Sequence, residues 1–342
     1  MPAPPALSVY RRELDDYLRS LVGRLRQAAD LYAMASYHLG WRDSEGRPAQ
    51  ASGKATRPML CLLACEACGG RWQDALPAAA ALELVHNFSL IHDDIQDRDA
   101  ERRHRPTVWK LWGEAQAINA GDALLALARL ASLRLIEGEV SPRAVVEAAK
   151  LLDQRTLEMV EGQVLDISFE RQLAVTPDQY LEMVEKKTGA LFDAALALGA
   201  LVAGAEPPLV EEMGSCGRQL GVAFQLRDDV MGVWGAETAT GKQAAADILR
   251  RKKSLPVIYA LQRASGQTLQ ELSRIYEKAE LSEDDVLRVV ALLVQLGARD
   301  YASEVVRERK AAALRELESL PLRAEAGAEL RRAADSLVPL DF

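Results

Sequence analysis

The chain has 342 residues, enough for one large or two ordinary domains with a substantial core. Hydrophobic residues make up 49% and charged residues 27%, ordinary globular usage that excludes a disordered or fibrous chain. A formal net charge of −8 argues against a general nucleic-acid binder, which needs a clustered excess of Lys and Arg.

The opening MPAPPALSVYRRELDD lacks the basic segment, apolar core and small-residue cleavage site of a signal peptide, so a cytoplasmic protein is expected. Apolar residues then return at three- and four-residue intervals through most of the chain, with almost no alternating β-branched runs. That pattern predicts helices over about 8–38, 54–68, 77–97, 107–112, 118–137, 142–172, 177–204, 207–233, 244–264, 268–279, 282–296 and 298–335, with no strand needed. The helices follow one another closely, without a long linker or a repeat, so one all-α domain over 1–342 is expected.

The most apolar stretch, Ala190 to Ala205, is broken by Asp193 and two glycines and is shorter than the ~20 residues of a membrane span, so it reads as a buried helix and no membrane insertion is expected. Cys61, Cys65 and Cys68 share helical spacing and Cys216 stands alone. That is neither a disulfide framework nor a four-ligand zinc set, so they read as small core residues. His92 and His104 receive no role, and the charged stretch from Arg307 to Arg332 reads as a solvated or partner-facing amphipathic helix.

Within ALELVHNFSLIHDDIQDRDAERRHRPTVW, helical spacing places His86, Asp93 and Asp97 on one face in successive turns. Two carboxylates one turn apart repel unless a cation sits between them, and hard oxygen ligands suit magnesium. Asp94 and Asp99 add to the negative field. A second patch, FQLRDDVMGVWG, puts Gln225, Asp228, Asp229 and Gly232 on one face of an otherwise apolar helix, and buried carboxylates demand partners. Acidic patches of this kind on bundle helices can hold divalent ions that bind a diphosphate. Basic segments accompany them: GKATRP, ERRHRP, EKKTG and GKQAAADILRRKKSLP. Arg102 and Arg103 follow the DDIQD helix end closely enough for planar guanidinium groups to grip phosphate.

Over residues 50 to 260 the ordered series GKATRP, ELVHNFSLIHDDIQDRDAERRHRPT, GDALLA, EGQVLD, KKTGALF, FQLRDD, GK and ADILRRKKSLP resembles the trans-prenyl diphosphate synthases, also called polyprenyl synthetases. The resemblance implies the isoprenoid synthase fold, a single large helical bundle around a central cavity. It implies a homodimer that condenses isopentenyl diphosphate with an allylic diphosphate, using three magnesium ions. By the same resemblance Asp93, Asp97 and Asp228 are magnesium ligands, with Asp94 and Asp229 in support. Arg102, Lys187, Gln225, Lys242 and Lys252 hold the allylic diphosphate, and Lys54, Arg57, His86 and Arg103 hold isopentenyl diphosphate. Backbone carbonyls of Lys187 and Thr188, with Gln225, stabilise the allylic cation, and closure of the loop from Gly235 to Gln243 excludes water.

One departure stands out: the second motif reads DDVMG, with Gly232 where the family usually has aspartate, which implies activity with weaker metal binding. Phe88, five residues before Asp93, with small Ser89 after it, resembles the tunnel floor of geranylgeranyl diphosphate synthases. A farnesyl or longer product is the alternative. A class I terpene cyclase needs an Asn/Asp-x-x-Ser/Thr-x-x-x-Glu motif, and the nearest match, Asp153 with Thr156, has Val160 at the glutamate position. A non-catalytic partner subunit is the other alternative, against which DDIQD, Arg102, Arg103 and Lys187 all stand.

Overall fold

The computed structural model describes residues 5–340 except 52, 171, 173–174, 236–244, 250–251 and 279. Its helices are α1 Pro5–Val22, α2 Ala29–His38, α3 Thr56–Ala67, α4 Leu76–Gln96, α5 Val108–Trp112, α6 Glu114–Leu133, α7 Pro142–Glu170, α8 Pro177–Val184, α9 Ala190–Val202, α10 Pro207–Trp234, α11 Ala246–Leu249, α12 Leu255–Arg263, α13 Gly266–Tyr276, α14 Glu283–Gln295, α15 Ala298–Ser319 and α16 Ala324–Leu337.

Five features differ from the helices expected. The helix expected over 244–264 is divided into α11 and α12, with Ser254 extended at φ −77° and ψ 165° and Pro256 in the first turn of α12. The helix expected over 8–38 breaks into α1, a 3-10 turn over Gly23–Gln27, and α2, the break coming where Gly23 follows Val22. The helix expected over 298–335 ends at Ser319, because Pro321 disfavours helical geometry at the preceding Leu320, which is extended with φ −76° and ψ 148°. Between α8 and α9 the helix does not run straight through: Glu185–Gly189 is a π turn. A two-residue hairpin, β1 Glu101–Arg102 paired antiparallel with β2 Arg105–Pro106, occupies a segment for which no strand was expected.

The chain divides into two compact units. The first comprises residues 1–156, 194–214 and 321–330, and the second residues 157–193, 215–320 and 331–342, so α7, α9, α10 and α16 each contribute to both. In the first unit, α4 is enclosed because its early turns are small: Ala78 to Ala81 are all essentially buried. Small residues also let backbones approach. A Cβ on Gly199 would lie 2.4 Å from the Cys61 carbonyl oxygen, and one on Gly121 2.3 Å from the His92 ring. Leu60, Leu62, Leu82, Leu84 and Leu124 are each at most 1% exposed, and each such burial stabilises the fold by roughly 2 kcal/mol. The four cysteines are reduced; Cys61, Cys65 and Cys216 are buried, and burial pushes the Cys65 thiol up to about 12 and Cys68 to about 11. They pack as small hydrophobes, as expected.

The second unit packs Val233, Ile248, Val257, Leu272, Ile275, Val289, Leu292 and Leu293 into one core. Two capping boxes start its helices: Thr176 with Gln179 for α8, and Ser282 with Asp285 for α14. Lys310, 8% exposed, donates to the Val338 carbonyl at 2.8 Å and pairs with Asp335 at 2.7 Å, which fixes the end of α16 onto α15.

Candidate active site

In the first unit α4 carries the first acidic motif. Asp93 lies half-buried, Asp94 buried and Asp97 exposed, and Asp97 caps the helix through its amide on the Asp93 carbonyl at 2.8 Å. Asp94 accepts from Arg102 Nε at 2.7 Å. Burial raises the Asp94 carboxyl to about 6, and the Arg102 guanidinium opposes that rise. Asp94 therefore faces inward to anchor Arg102, while Asp93, half-buried, and Asp97, exposed, lie one helical turn apart.

Arg102 and Arg103 ride on the hairpin. Its loop is Arg103-His104, with φ of 53° and 58° and a two-residue connection, the geometry of a type I′ turn that normally selects Asn-Gly. Arg105 secures it: Nη2 donates to the Arg42 carbonyl at 2.7 Å and its guanidinium lies 4.0 Å over the Tyr37 ring. Thr107 Oγ1 and Trp109 Nε1 both donate to the Asp99 carbonyl at 2.8 Å. Arg103 in turn packs on Gly53, where a Cβ would lie 2.4 Å from Nη2, and Arg11 Nη1 donates to the Gly53 carbonyl at 2.6 Å. Lys54, next in sequence, is exposed.

Arg57 Nη1 lies 3.4 Å from His86 Nε2. Burial, reinforced by Arg57, holds His86 well below its ordinary value, and burial with Arg102 takes His38 down to about 3. Both rings are thus neutral at pH 7, and His86 can accept from Arg57. The unfolded chain protonates these rings as pH falls below about 6.5, whereas the folded chain does not; the unfolded state binds more protons, so stability falls with pH from about 6.5 toward 3. Each ring contributes a slope of up to about 1.4 kcal/mol per pH unit. Urea unfolding at about pH 7 and about pH 5 should give a lower midpoint at the acid value, with a shallower dependence in His38→Gln. Identical slopes in the two proteins would contradict this account. Glu83, buried and hydrogen-bonded from Asn87 Nδ2 at 3.0 Å, is raised by burial while Arg57, Arg11 and Arg103 pull it down. Neither Glu83 nor Arg11 stood out in the sequence.

In the second unit the residues of the other motif form a connected chain. Thr188 Oγ1 donates to Gln225 Oε1 at 3.0 Å, Gln225 Nε2 to Asp229 Oδ1 at 3.2 Å, and Tyr180 OH to Asp229 Oδ2 at 2.6 Å. Lys252 Nζ lies 3.7 Å from Asp229 Oδ1. Asp229 and Tyr180 are each 1% exposed, so this carboxylate is a buried anchor satisfied from three sides. Asp228, half-buried beside Arg227, is the more accessible of the pair. Lys187 donates to Asp166. Lys242 and most of the 235–243 loop lie outside the described residues. In this unit Tyr180 and Asp166 are site residues to which the sequence gives no role. A tyrosine on an amphipathic helix 49 residues from its partner reads as core, and Asp166 stood inside the noted EGQVLD without an assigned role.

Among the described residues no three His, Cys, Asp or Glu side chains gather tightly enough to hold a metal. The donors fit magnesium in another way: it is commonly held by one or two carboxylates, with water and substrate phosphate oxygens completing the octahedron. Asp93 with Asp97, and Asp228, are hard oxygen donors left accessible beside buried partners that do the anchoring.

A family model described as "Polyprenyl synthetase" matches residues 47–293. The chain is 42% identical over 292 residues to a (2E,6E)-farnesyl diphosphate synthase of Mycobacterium tuberculosis, covering 83% of this chain and 80% of that protein. It is 43% identical over 286 residues to a geranylgeranyl diphosphate synthase of the same organism, with the same 83% and 80% coverage. The crystal structure of a polyprenyl synthetase from Streptomyces coelicolor superposes with a TM-score of 0.90 at 36% identity, covering 98% of this chain and 99% of that one. The helical architecture, the two acidic motifs and these likenesses agree: the chain belongs to the polyprenyl synthetase family and is a trans-prenyl diphosphate synthase.

Proposed function

We propose that the enzyme extends an allylic diphosphate (dimethylallyl, geranyl or farnesyl) with isopentenyl diphosphate to geranylgeranyl diphosphate, acting as one catalytic domain. Asp93, Asp97 and Asp228 would hold magnesium, three ions per site, with Asp94 and Asp229 behind them as anchors, and the metal would supply positive charge against the departing diphosphate. Arg102, Lys187, Gln225, Lys242 and Lys252 orient the allylic diphosphate, so that its carbon–oxygen bond breaks toward an allylic cation. Lys54, Arg57, neutral His86 and Arg103 orient isopentenyl diphosphate, whose double bond attacks that cation; a proton is then lost to the released diphosphate. No protein nucleophile takes part. Lys187 and Thr188 carbonyls and Gln225 face the cation with dipoles.

The observation that supports the product length is Phe88. It is 7% exposed on α4, its ring edge-on to His92 at a centroid distance of 5.0 Å, with Ser89 drawn back onto the His86 carbonyl at 2.9 Å. We assign Phe88 as the floor that stops growth. Incubation with magnesium, labelled isopentenyl diphosphate and each allylic primer in turn should give a ladder ending at geranylgeraniol after dephosphorylation, abolished by EDTA. Phe88→Ala should extend the ladder by at least one isoprene unit. A wild-type ladder ending at farnesol, or an unchanged end point in the variant, would overturn the length assignment but not the reaction.

We further propose a homodimer. Leu157, Val160 and Val164 are 61%, 41% and 62% exposed at spacings of three and four on α7, an apolar stripe suited to a second copy. We place the enzyme in the cytoplasm, where its diphosphate substrates are dissolved. Among the described residues no helix is long and apolar enough to cross a membrane.

A further inference from the structure

The π turn Glu185–Gly189 carries Lys187 and Thr188, and π turns are rarely stable without outside support. Support comes from a charged residue in the wrong-looking place. Asp193 sits one turn into the apolar helix α9 at 3% exposure, and Arg218 of α10 reaches it with Nη2 at 2.9 Å and Nε at 3.2 Å. The same Nη2 lies 2.7 Å from Glu158 Oε2 of α7, and Nη1 lies 3.5 Å from the Glu185 carbonyl, a long contact on the first residue of the turn. Glu158 and Asp193 hold the guanidinium above its ordinary value against the opposing effect of burial.

Glycines close the backbone around this arrangement. A Cβ on Gly189 would meet Arg218 Cγ at 3.2 Å, and one on Gly221 would lie 3.0 Å from Gly189 Cα. One on Gly162 would lie 2.2 Å from the Lys187 amide nitrogen. Arg218 is also two helical turns before Gln225, on the same face that presents Gln225 and Asp229.

We infer that Arg218, clamped by Asp193 and Glu158, is a positioning residue that sets the π turn and so aims Lys187 and Thr188 at the allylic substrate. It touches no reacting atom. The inference rests on the reaction proposed above. Arg218 joins α7, α9, α10 and the turn at one guanidinium, and no solvent-exposed ion pair could fix backbone in that way, because long side chains in water keep their freedom. Lysine has three donors but on a single nitrogen, and it lacks the planar fork that lets Nε, Nη1 and Nη2 reach these partners from separate atoms.

The test compares Arg218→Gln, Arg218→Lys and the double variant Arg218→Gln/Asp193→Asn with wild type. Two readouts are used: steady-state kinetics, and amide hydrogen exchange across 181–193 in the substrate-free protein. The double variant removes the unpaired buried carboxylate that could unfold the single one. For the folded double variant we expect kcat to fall roughly 30- to 100-fold, since small misplacements cost that much, with KM for isopentenyl diphosphate within about twofold. Exchange should quicken about tenfold or more in 181–193 and not in α14. Arg218→Lys should recover only part of the rate. A folded double variant with wild-type kcat and unchanged exchange would overturn the inference, as would losses in kcat and both KM values that merely track the folded fraction. Faster exchange in the variants, with a wild type that elongates nothing, would leave the clamp standing and overturn the proposed reaction.

Discussion

Alanine in place of Asp93 lowers kcat by about 10³-fold, the scale set by removing a group that stabilises transition-state charge. The substitution isolates chemistry from folding. Asp93 is half-buried on α4, its carboxylate lies outside the Asp94–Arg102 pair, and alanine is the better helix former. Far-ultraviolet circular dichroism and the urea midpoint should therefore match wild type. Asp93→Asn keeps the shape without the charge and should lose nearly as much, with an apparent magnesium requirement raised in both variants. A kcat near wild type at saturating magnesium would remove Asp93 from the metal set and leave Asp97 and Asp228 to carry it.

Gly162→Ala should destabilise the protein by about 3 kcal/mol and depress kcat with it. Helix propensity alone predicts the opposite sign, since alanine in the middle of α7 is favoured over glycine by about 1 kcal/mol. The contact decides: the new Cβ would lie 2.2 Å from the Lys187 nitrogen and 2.6 Å from its Cα, both backbone atoms that cannot rotate away. Urea unfolding measures the sign directly. A variant more stable than wild type would mean that α7 and the π turn do not pack at this distance.

The sequence revealed the all-helical fold because periodicity survives in each segment, and both acidic motifs because paired carboxylates on a helical face have few structural reasons to exist. Other features left weaker traces. EKKTG has ordinary helical periodicity, and the residues that close around its π turn, Arg218, Gly162 and Gly221, are distant in the chain. The hairpin at 101–106 was hidden because its loop is Arg-His rather than Asn-Gly. The break before Pro321 is legible in the proline itself, but the charged amphipathic periodicity continues on both sides of it. In the sequence Asp193 only interrupts an apolar run; a carboxylate buried there demands a cation, and Arg218 supplies it. The partner lay 25 residues away on another helix, where no local pattern points.

The hairpin also bears on how this enzyme can adapt to heat. Arg98, Arg103 and His104 all hold left-handed backbone shortly after the acidic helix, each at a penalty of about 1 kcal/mol relative to glycine. Selection for thermal tolerance alone would find easy gains there, and the gain at Arg103 would remove a cation assigned to isopentenyl diphosphate. His104 carries no such role, so it is the position where a lineage moving to hotter surroundings can gain stability without surrendering catalysis.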